Sequence, residues 1–176
     1  MAGIDTTKPF RALEIAVLTV SDTRTLADDR SGDALVERLE RAGHRLAGRD
    51  LVADDVEAIV ARLEAWIADP SVHIVVTTGG TGVTGRDVTP EAFARVCEKT
   101  IPGFGELFRM LSYQKIGTSA LQSRATAGVA GATYLFALPG STGAVRDGWD
   151  LVLEPQLDLR HQPCNFAELL PRLDER

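Results

Sequence analysis

The chain has little cysteine and little histidine, and this scarcity excludes two common kinds of site. Its 176 residues include only two cysteines, Cys97 and Cys164, and three histidines. Two cysteines in unrelated contexts do not make a disulfide framework, and the ligand spacing of a zinc site is missing. We therefore expect both cysteines to be packing residues.

Long apolar runs and an excess of basic charge are missing too. No apolar run approaches the roughly 20 residues that a membrane span needs, and no basic segment leads into an apolar stretch and a cleavage site at the N-terminus. The 19 Lys and Arg are outnumbered by 25 Asp and Glu, for a net charge of −6, whereas proteins that bind the phosphate backbone are normally basic. The sequence thus predicts a cytoplasmic protein with neither a membrane nor nucleic acid as a partner.

Alternating strand and helix signals predict an α/β fold. Short β-branched runs are typical of strands buried on both faces, and segments with apolar residues at helical spacing lie between them. The predicted strands are 13–20, 45–52, 72–78 and two short ones around Gly131; the predicted helices are 32–42, 91–98, 104–112 and two that begin at Asp54 and near Ser141. Such alternation predicts a mostly parallel sheet covered by helices on both faces.

No internal repeat and no linker divides the chain. We predict a single domain over 13–176, after an N-terminal extension over 1–12. Parallel sheets bind ligands beyond the carboxyl ends of their strands, so the loops that follow the predicted strands should meet at one edge. Those loops begin at Ser21, Asp54, Gly79 and Gly140.

The most informative of these loops lies in TTGGTGVTGRDVTP, Thr77–Pro90. Its glycines let backbone N–H groups approach a ligand and form a concavity for anions. A tight turn alone would also need glycine, but four glycines interleaved with threonines favour phosphate or a polar heterocycle. The loop is not a P-loop, because no lysine lies between His73 and Lys99.

The same loop also matches the dinucleotide fingerprint, with Gly80, Gly82 and Gly85 at the three glycine positions. In that fingerprint the third glycine lies where the helix opens. Here the signals for a helix start, an N-cap at Thr89 and a proline at Pro90, come later. A nicotinamide-dependent oxidoreductase is therefore the less favoured interpretation.

Two aspartates stand beside these loops, and each has two possible roles. Asp87 follows the glycine loop, where a carboxylate near bound phosphates would need a cation and so suggests a magnesium ligand. It could equally cap the helix that starts at Thr89. Asp54 is an N-cap candidate with Glu57 at the capping-box position, and its predicted place on the same sheet edge as Asp87 is the argument for a functional role.

Three further segments could contribute to the same crevice. LPGST places Gly140 and Ser141 at a helix N-terminus, which is an anion site or a simple turn. QSRA offers Ser123 and Arg124 to a phosphate or to a surface salt bridge. The polar loop after the first strand adds Asp29, Ser31 and Gly32.

Taken together, these segments resemble a known family. VVTTGGTGVTGRDVTPEA, IPGFGELFRMLS, TSALQSRA and FALPGST are similar to the corresponding blocks of the MoaB/Mog family of molybdenum cofactor biosynthesis. The resemblance implies a three-layer α/β/α domain that assembles as trimers or hexamers. It implies that molybdopterin is bound and that AMP is transferred from Mg-ATP to its terminal phosphate, with Mg²⁺ as cofactor. A non-catalytic protein that only binds molybdopterin is the alternative.

The resemblance also assigns roles residue by residue. Asp54 and Asp87 match the two aspartates implicated in adenylylation, and Asp87 is the candidate Mg²⁺ ligand. The candidates for binding molybdopterin or nucleotide are Ser21, Asp29, Gly32, Gly79, Gly80, Thr81, Gly82, Ser123, Pro139, Gly140 and Ser141. The apolar stretch FGELFRMLSY, with Phe104, Leu107, Phe108 and Leu111 at helical spacing, is a candidate contact between subunits or ordinary core.

Overall fold

The fold is built on a six-stranded sheet and a small two-stranded one. The computed structural model describes residues 3–175; residues 1, 2 and 176, which belong to the predicted extension and domain, lie outside the described part. The strands are β1 (Gly3–Ile4), β2 (Glu14–Val20), β3 (Arg45–Val52), β4 (Ile74–Thr78), β5 (Lys99–Thr100), β6 (Thr126–Ala130), β7 (Thr133–Leu138) and β8 (His161–Gln162).

Helices connect these strands. They are α1 (Arg30–Arg41), α2 (Val56–Ile67), α3 (Thr89–Val96), α4 (Pro102–Ile116), α5 (Thr142–Gly148), α6 (Glu154–Leu157) and α7 (Phe166–Leu169). Two 3₁₀ segments cover Gly117–Gln122 and Leu170–Arg172, and a π-helical turn over Trp149–Leu153 joins α5 to α6. Within residues 3–175, no helix is both long and apolar enough to cross a membrane.

The large sheet has the order β3-β2-β4-β7-β6-β5 and is mostly parallel, as predicted. The four strands β3, β2, β4 and β7 run parallel to one another. β6 and β7 are the two short strands predicted around Gly131; they form an antiparallel hairpin, and the φ of 55° at Gly131 suits a glycine. The short β5 pairs antiparallel with β6 at the sheet edge.

Two hydrophobic layers cover the sheet, one on each face. Successive residues of a strand point to opposite faces, so Ile15 and Val17 of β2 pack in one layer and Ala16 and Leu18 in the other. Helix α1 covers the first layer and α2 the second, each through its buried apolar residues. The three-layer α/β/α fold is thereby confirmed.

The described part of the predicted N-terminal extension packs against the C-terminal segment. β1 pairs antiparallel with β8, and the Asp5 N–H donates to the Arg160 carbonyl at 2.8 Å. Further along, the Phe10 ring lies 5.3 Å from the His44 ring, measured between centroids. These residues are therefore joined to the domain by backbone and ring contacts.

Two predicted helix caps are wrong. The cap of α2 is Asp55, whose side chain accepts a hydrogen bond from the Ala58 N–H at 2.9 Å, and not Asp54. Thr89 is the first residue of α3 instead of its cap, and its hydroxyl donates to the Gly79 carbonyl at 2.8 Å. The side chains of Asp54 and Thr89 therefore do not cap α2 and α3. The predicted start near Ser141 is confirmed, since its side chain caps α5.

Buried His44 makes the stability of the fold depend on pH. The residue is 5% exposed, its Nδ1 accepts a hydrogen bond from the Leu13 N–H, and burial lowers its pKa from 6.5 to about 4 against the opposing charge of Asp158. Between these values the unfolded chain binds a proton that the folded chain does not, so stability falls as the pH falls. We expect a loss of about 2 kcal/mol in unfolding free energy between pH 7 and pH 5.

Urea unfolding at the two pH values measures this loss. The control is His44→Gln, which has no titrating group at this position and should show a flatter dependence on pH than the parent. If the variant kept the parent's full dependence, other groups would be responsible and the assignment to His44 would be wrong.

Candidate active site

A cavity of about 610 Å³ opens at the carboxyl ends of the parallel strands. The loops that follow β2, β3, β4 and β7 all contribute to its wall, and the opposite wall comes from α4 and the 3₁₀ segment after it. The predicted meeting of the Ser21, Gly79 and Gly140 loops at one sheet edge is confirmed. Asp54 and Asp87 line the same cavity, as expected.

Most of the predicted site residues lie together in this cavity wall. Those that line it are Ser21, Asp54, Gly79, Gly80, Thr81, Gly82, Asp87, Ser123, Pro139, Gly140 and Ser141. Asp29 and Gly32 do not line it, so the expectation that they face the crevice is wrong. The reason is that Asp29 is wholly buried as the N-cap of α1 and accepts a hydrogen bond from the Gly32 N–H at 2.9 Å.

The glycine loop passes so close to its neighbours that side chains would collide. Gly79 has a φ of 106°, and a Cβ there would lie 2.2 Å from the Val20 carbonyl oxygen. Gly80 has a φ of 64°, and a Cβ there would lie 2.5 Å from the Thr89 hydroxyl oxygen and 3.2 Å from Asp54 Oδ1. Glycine is required at both positions, because other residues rarely adopt such φ values.

Thr81, in the same loop, has an unsatisfied hydroxyl. The residue is 2% exposed and lines the cavity, yet its Oγ1 has no hydrogen-bond partner. A buried polar group without a partner destabilises a fold by about 1–3 kcal/mol. The loop therefore contains a buried hydroxyl that no described residue satisfies.

Arg124 holds the loop in place instead of facing the cavity. Its Nε donates to the Gly82 carbonyl at 2.6 Å, its Nη2 donates to the Asp87 carbonyl, and the guanidinium forms an ion pair with Glu91. Its backbone N–H donates to the Thr81 carbonyl at 2.8 Å. The sequence left open whether Arg124 binds a phosphate or forms a salt bridge, and the salt bridge is confirmed. All of the hydrogen bonds of the guanidinium go to other residues of the protein.

The carboxylate of Asp87 is hydrogen-bonded back to Thr84 of the glycine loop. Its Oδ2 accepts hydrogen bonds from the N–H and the hydroxyl of Thr84, at 2.8 and 2.6 Å. Burial raises the pKa of Asp87, but these hydrogen bonds and one from Gly82 outweigh burial, and the pKa lies below the usual value. Asp87 is therefore an ionised group of the cavity wall and not the cap of α3.

Asp54 lies in a strongly acidic environment. The backbone N–H of Asp22 donates to Asp54 Oδ2 and that of Asp54 to Asp22 Oδ1, both at 3.0 Å. Burial, followed by the negative charges of Asp22 and Asp87, raises the pKa of Asp54 above its usual value. Arg86 is the nearby cation, with Nη1 3.2 Å from Asp22 Oδ2. A cation at this place would relieve the repulsion between the carboxylates.

The sequence interpretation missed the two arginines of the cavity wall, Arg24 and Arg86. Each stands within three residues of a predicted site residue, Ser21 or Asp87, which is the signal that could have found them. In the opposite wall, Gln122 of the 3₁₀ segment carries the same signal because it stands beside the predicted Ser123, whereas Ser112 of α4 gave no comparable signal.

The carboxylates fit Mg²⁺ only if a substrate shares in its coordination. Within residues 3–175, no three His, Cys, Asp or Glu side chains are grouped as a metal site. Mg²⁺ commonly uses one or two carboxylates together with water and substrate phosphates. Asp54 and Asp87, which share the cavity, have the donor chemistry for that arrangement and not for a cage made of protein alone.

Comparison with known proteins agrees with this geometry. Residues 16–159 match the MoCF_biosynth family model, described as "Probable molybdopterin binding domain". The chain belongs to this family. Molybdenum cofactor biosynthesis protein B of Escherichia coli K12 is 49% identical over 157 residues, which are 89% of this chain and 92% of that protein.

Solved structures of similar proteins share the fold. A crystal structure of molybdenum cofactor biosynthesis protein B, 39% identical, superposes with a TM-score of 0.86 over 96% of this chain and all of that one. The molybdopterin biosynthesis enzyme MoaB of Thermus thermophilus, 31% identical, gives 0.77 over 93% and 98%. These similarities support a role for this family member in molybdenum cofactor biosynthesis.

The fingerprint of nicotinamide enzymes is not realised. α3 begins at Thr89, four residues after Gly85, so the third glycine of the motif does not open the helix as the fingerprint requires. The three glycines therefore match the pattern in sequence but do not form the turn into a helix that binds a dinucleotide.

Proposed function

We propose that the protein adenylylates the terminal phosphate of molybdopterin with Mg-ATP. The observation that carries the proposal is the meeting of Asp54 and Asp87 with the glycine loop in one cavity. Backbone N–H groups suited to anions there lie beside carboxylates suited to a divalent cation. The family membership supports molybdopterin as the second substrate.

The reaction would need no protein nucleophile. An oxygen of the molybdopterin phosphate forms a bond to the α-phosphorus of ATP, the bond between the α-phosphorus and the bridging oxygen breaks, and pyrophosphate leaves. The chain would contribute by orienting the two substrates through the glycine loop and the Gly140 turn, and by excluding water. Mg²⁺, when bound, neutralises phosphate charge during such transfers.

The ionised state of Asp87 supports its role in this scheme. The hydrogen bonds from Thr84 fix the carboxylate and keep its charge. Asp54 is held by its reciprocal hydrogen bonds with Asp22. Both carboxylates are therefore placed before any substrate arrives, as preorganised electrostatic catalysis requires.

Pyrophosphate release tests the proposal. The protein is incubated with molybdopterin, ATP and Mg²⁺, and omission of each component in turn should abolish release. Tight binding of molybdopterin without pyrophosphate release would instead favour the non-catalytic alternative. Binding of NAD would revive the oxidoreductase.

We also propose that the protein forms a homo-oligomer through the outer face of α4. Phe104 and Phe108 are core residues, 4% and 2% exposed, so these two do not belong to a subunit contact. Other apolar side chains of this region are exposed and do not line the cavity: Met110 and Tyr113 of α4 and Leu121 of the 3₁₀ segment after it, at 55%, 61% and 81%. Exposed apolar patches of this kind mark interaction sites.

Replacing Leu121 with aspartate should dissociate the oligomer, because a charge placed in an apolar contact loses its hydration without gaining a partner. Light scattering at micromolar concentration should give a multiple of 18.9 kDa for the parent and the single-chain mass for Leu121→Asp. The control is Leu169→Asp, at an exposed leucine of α7, which should keep the parent mass. A parent that is monomeric would refute the proposal.

A further inference from the structure

Arg24 reaches across the cavity from the loop after β2 to the turn after β7. Its Nη1 donates to the Ser31 hydroxyl at 2.7 Å and its Nη2 to the Gly140 carbonyl at 3.3 Å. The side chain lines the cavity and is 36% exposed. A guanidinium has five N–H groups, so donors remain for a ligand after these two hydrogen bonds.

The ion pair between Arg24 and Asp29 is a long one, and Asp28 is the other carboxylate near the guanidinium. Asp29, wholly buried, is 3.9 Å from Arg24 Nη1, but the same carboxylate lies closer to Arg49, at 3.0 Å, with which it forms a hydrogen bond. The guanidinium is thus positioned by two wholly buried residues, Asp29 and Ser31. Arg24 also lines the cavity, so the N–H groups that remain can donate to a ligand there.

The cavity thus has two electrostatically different ends. Asp54 follows β3 and is surrounded by Asp22, Asp87 and Arg86, whereas Arg24 contacts the Gly140 turn that follows β7. β3 and β7 are three positions apart in the sheet, which is about 14 Å at the usual strand spacing. The acidic end attracts an anion only with a cation between them, while the Arg24 end attracts an anion directly.

We propose that Arg24 binds the terminal phosphate of molybdopterin and so directs this substrate to one end of the cavity. The proposal rests on the proposed function, in which Mg-ATP takes the acidic end. A guanidinium binds phosphate oxygens through paired charge-assisted hydrogen bonds. Arg24 would bind the phosphate oxygens that do not attack ATP. Its hydrogen bond to the Gly140 carbonyl would fix the position of the guanidinium and so the orientation of the phosphate toward the nucleotide.

Calorimetric titration with molybdopterin and with its dephosphorylated form tests the assignment. In Arg24→Met the affinity for molybdopterin should fall by roughly tenfold to a hundredfold, while the affinity for the dephosphorylated form stays the same. Arg30→Met is the matched control, because Arg30 is an exposed arginine at the start of α1 that does not line the cavity, and both affinities should stay within about threefold of the parent. Arg24→Lys keeps the charge without the paired donors, so a smaller loss, again confined to the phosphorylated form, is expected.

The comparison of the two ligands separates binding from a structural role. An equal loss for both forms in Arg24→Met would mean that Arg24 only shapes the loop, and unchanged binding of molybdopterin would also overturn the proposal. If Arg24→Met does not fold, Arg24→Lys decides the question by the same comparison. Titration needs no turnover, so a parent that releases no pyrophosphate but discriminates between the two forms through Arg24 refutes adenylylation alone. A parent that releases pyrophosphate without such discrimination refutes the Arg24 assignment alone.

Discussion

Replacing Asp87 with asparagine is expected to abolish adenylyl transfer while leaving the fold intact. Asparagine keeps the shape of the side chain, and its carbonyl oxygen can accept the hydrogen bonds that Thr84 gives to Asp87. The negative charge is lost, and with it the group proposed to hold Mg²⁺ beside the phosphates. We expect turnover to fall by a factor on the order of a thousand or more, measured as pyrophosphate release.

The matched control is Asp55→Asn at the same edge of the sheet. Asp55 caps α2 through the Ala58 N–H and is not among the residues that line the cavity. Asparagine and aspartate rank together as N-caps, so this variant should keep both turnover and melting temperature. Near-normal turnover in a folded Asp87→Asn protein would overturn the role given to Asp87. Loss of its melting transition would show a structural role instead.

The position of the site was predictable because it follows from topology. Strand signals of the β-branched runs place Ser21, Gly79 and Gly140 directly after strands, and parallel strands bring their carboxyl ends to one edge. The contact between the Gly79 loop and the Gly140 turn, where a Cβ at Gly140 would lie 3.3 Å from the Gly79 Cα, is a consequence of β4 pairing with β7. The strand signals and the order of the strands in the sheet were therefore sufficient to predict where the site lies.

The roles of individual polar side chains were harder to predict, because neighbouring residues compete for the same hydrogen bonds. Asp54 and Asp55 both stand before α2, and only the structure shows that Asp55 takes the cap while Asp54 pairs with Asp22. Asp29 has the sequence context of a crevice residue but lies in the interior beside Arg49.

Long side chains make contacts that sequence spacing does not reveal. Arg24 touches Gly140, 116 positions away, and Arg124 touches Gly82, 42 positions away. Neither contact has a local signature, because each depends on how far a guanidinium reaches across the finished sheet edge. The outer face of α4 was uncertain for a related reason, since the helical spacing of Phe104 and Phe108 is the same for a core and for a subunit contact.

Replacing Gly79 with alanine is expected to cause the largest loss of stability of any single-methyl change in the glycine loop. A φ of 106° is strained for alanine, and its Cβ would lie 2.2 Å from the Val20 carbonyl oxygen, which belongs to the backbone of β2 and has no rotamer to relieve the contact. Strain of this kind amounts to about 1–3 kcal/mol, and the collision adds to it. For a domain of this size we expect the melting temperature to fall by roughly 10 °C or more.

The matched control is Gly85→Ala in the same loop, where a Cβ would meet no atom within 4 Å and φ is not positive. This variant should melt within a degree or two of the parent, since alanine even reduces the freedom of the unfolded chain. Thermal unfolding of the three proteins in one buffer makes the comparison. Equal melting temperatures for Gly79→Ala and Gly85→Ala would contradict the close approach of the loop to β2, and with it the geometry that brings the backbone N–H groups to the cavity. A selective loss in Gly79→Ala would support that geometry, because only a backbone pressed against the end of β2 distinguishes the two glycines.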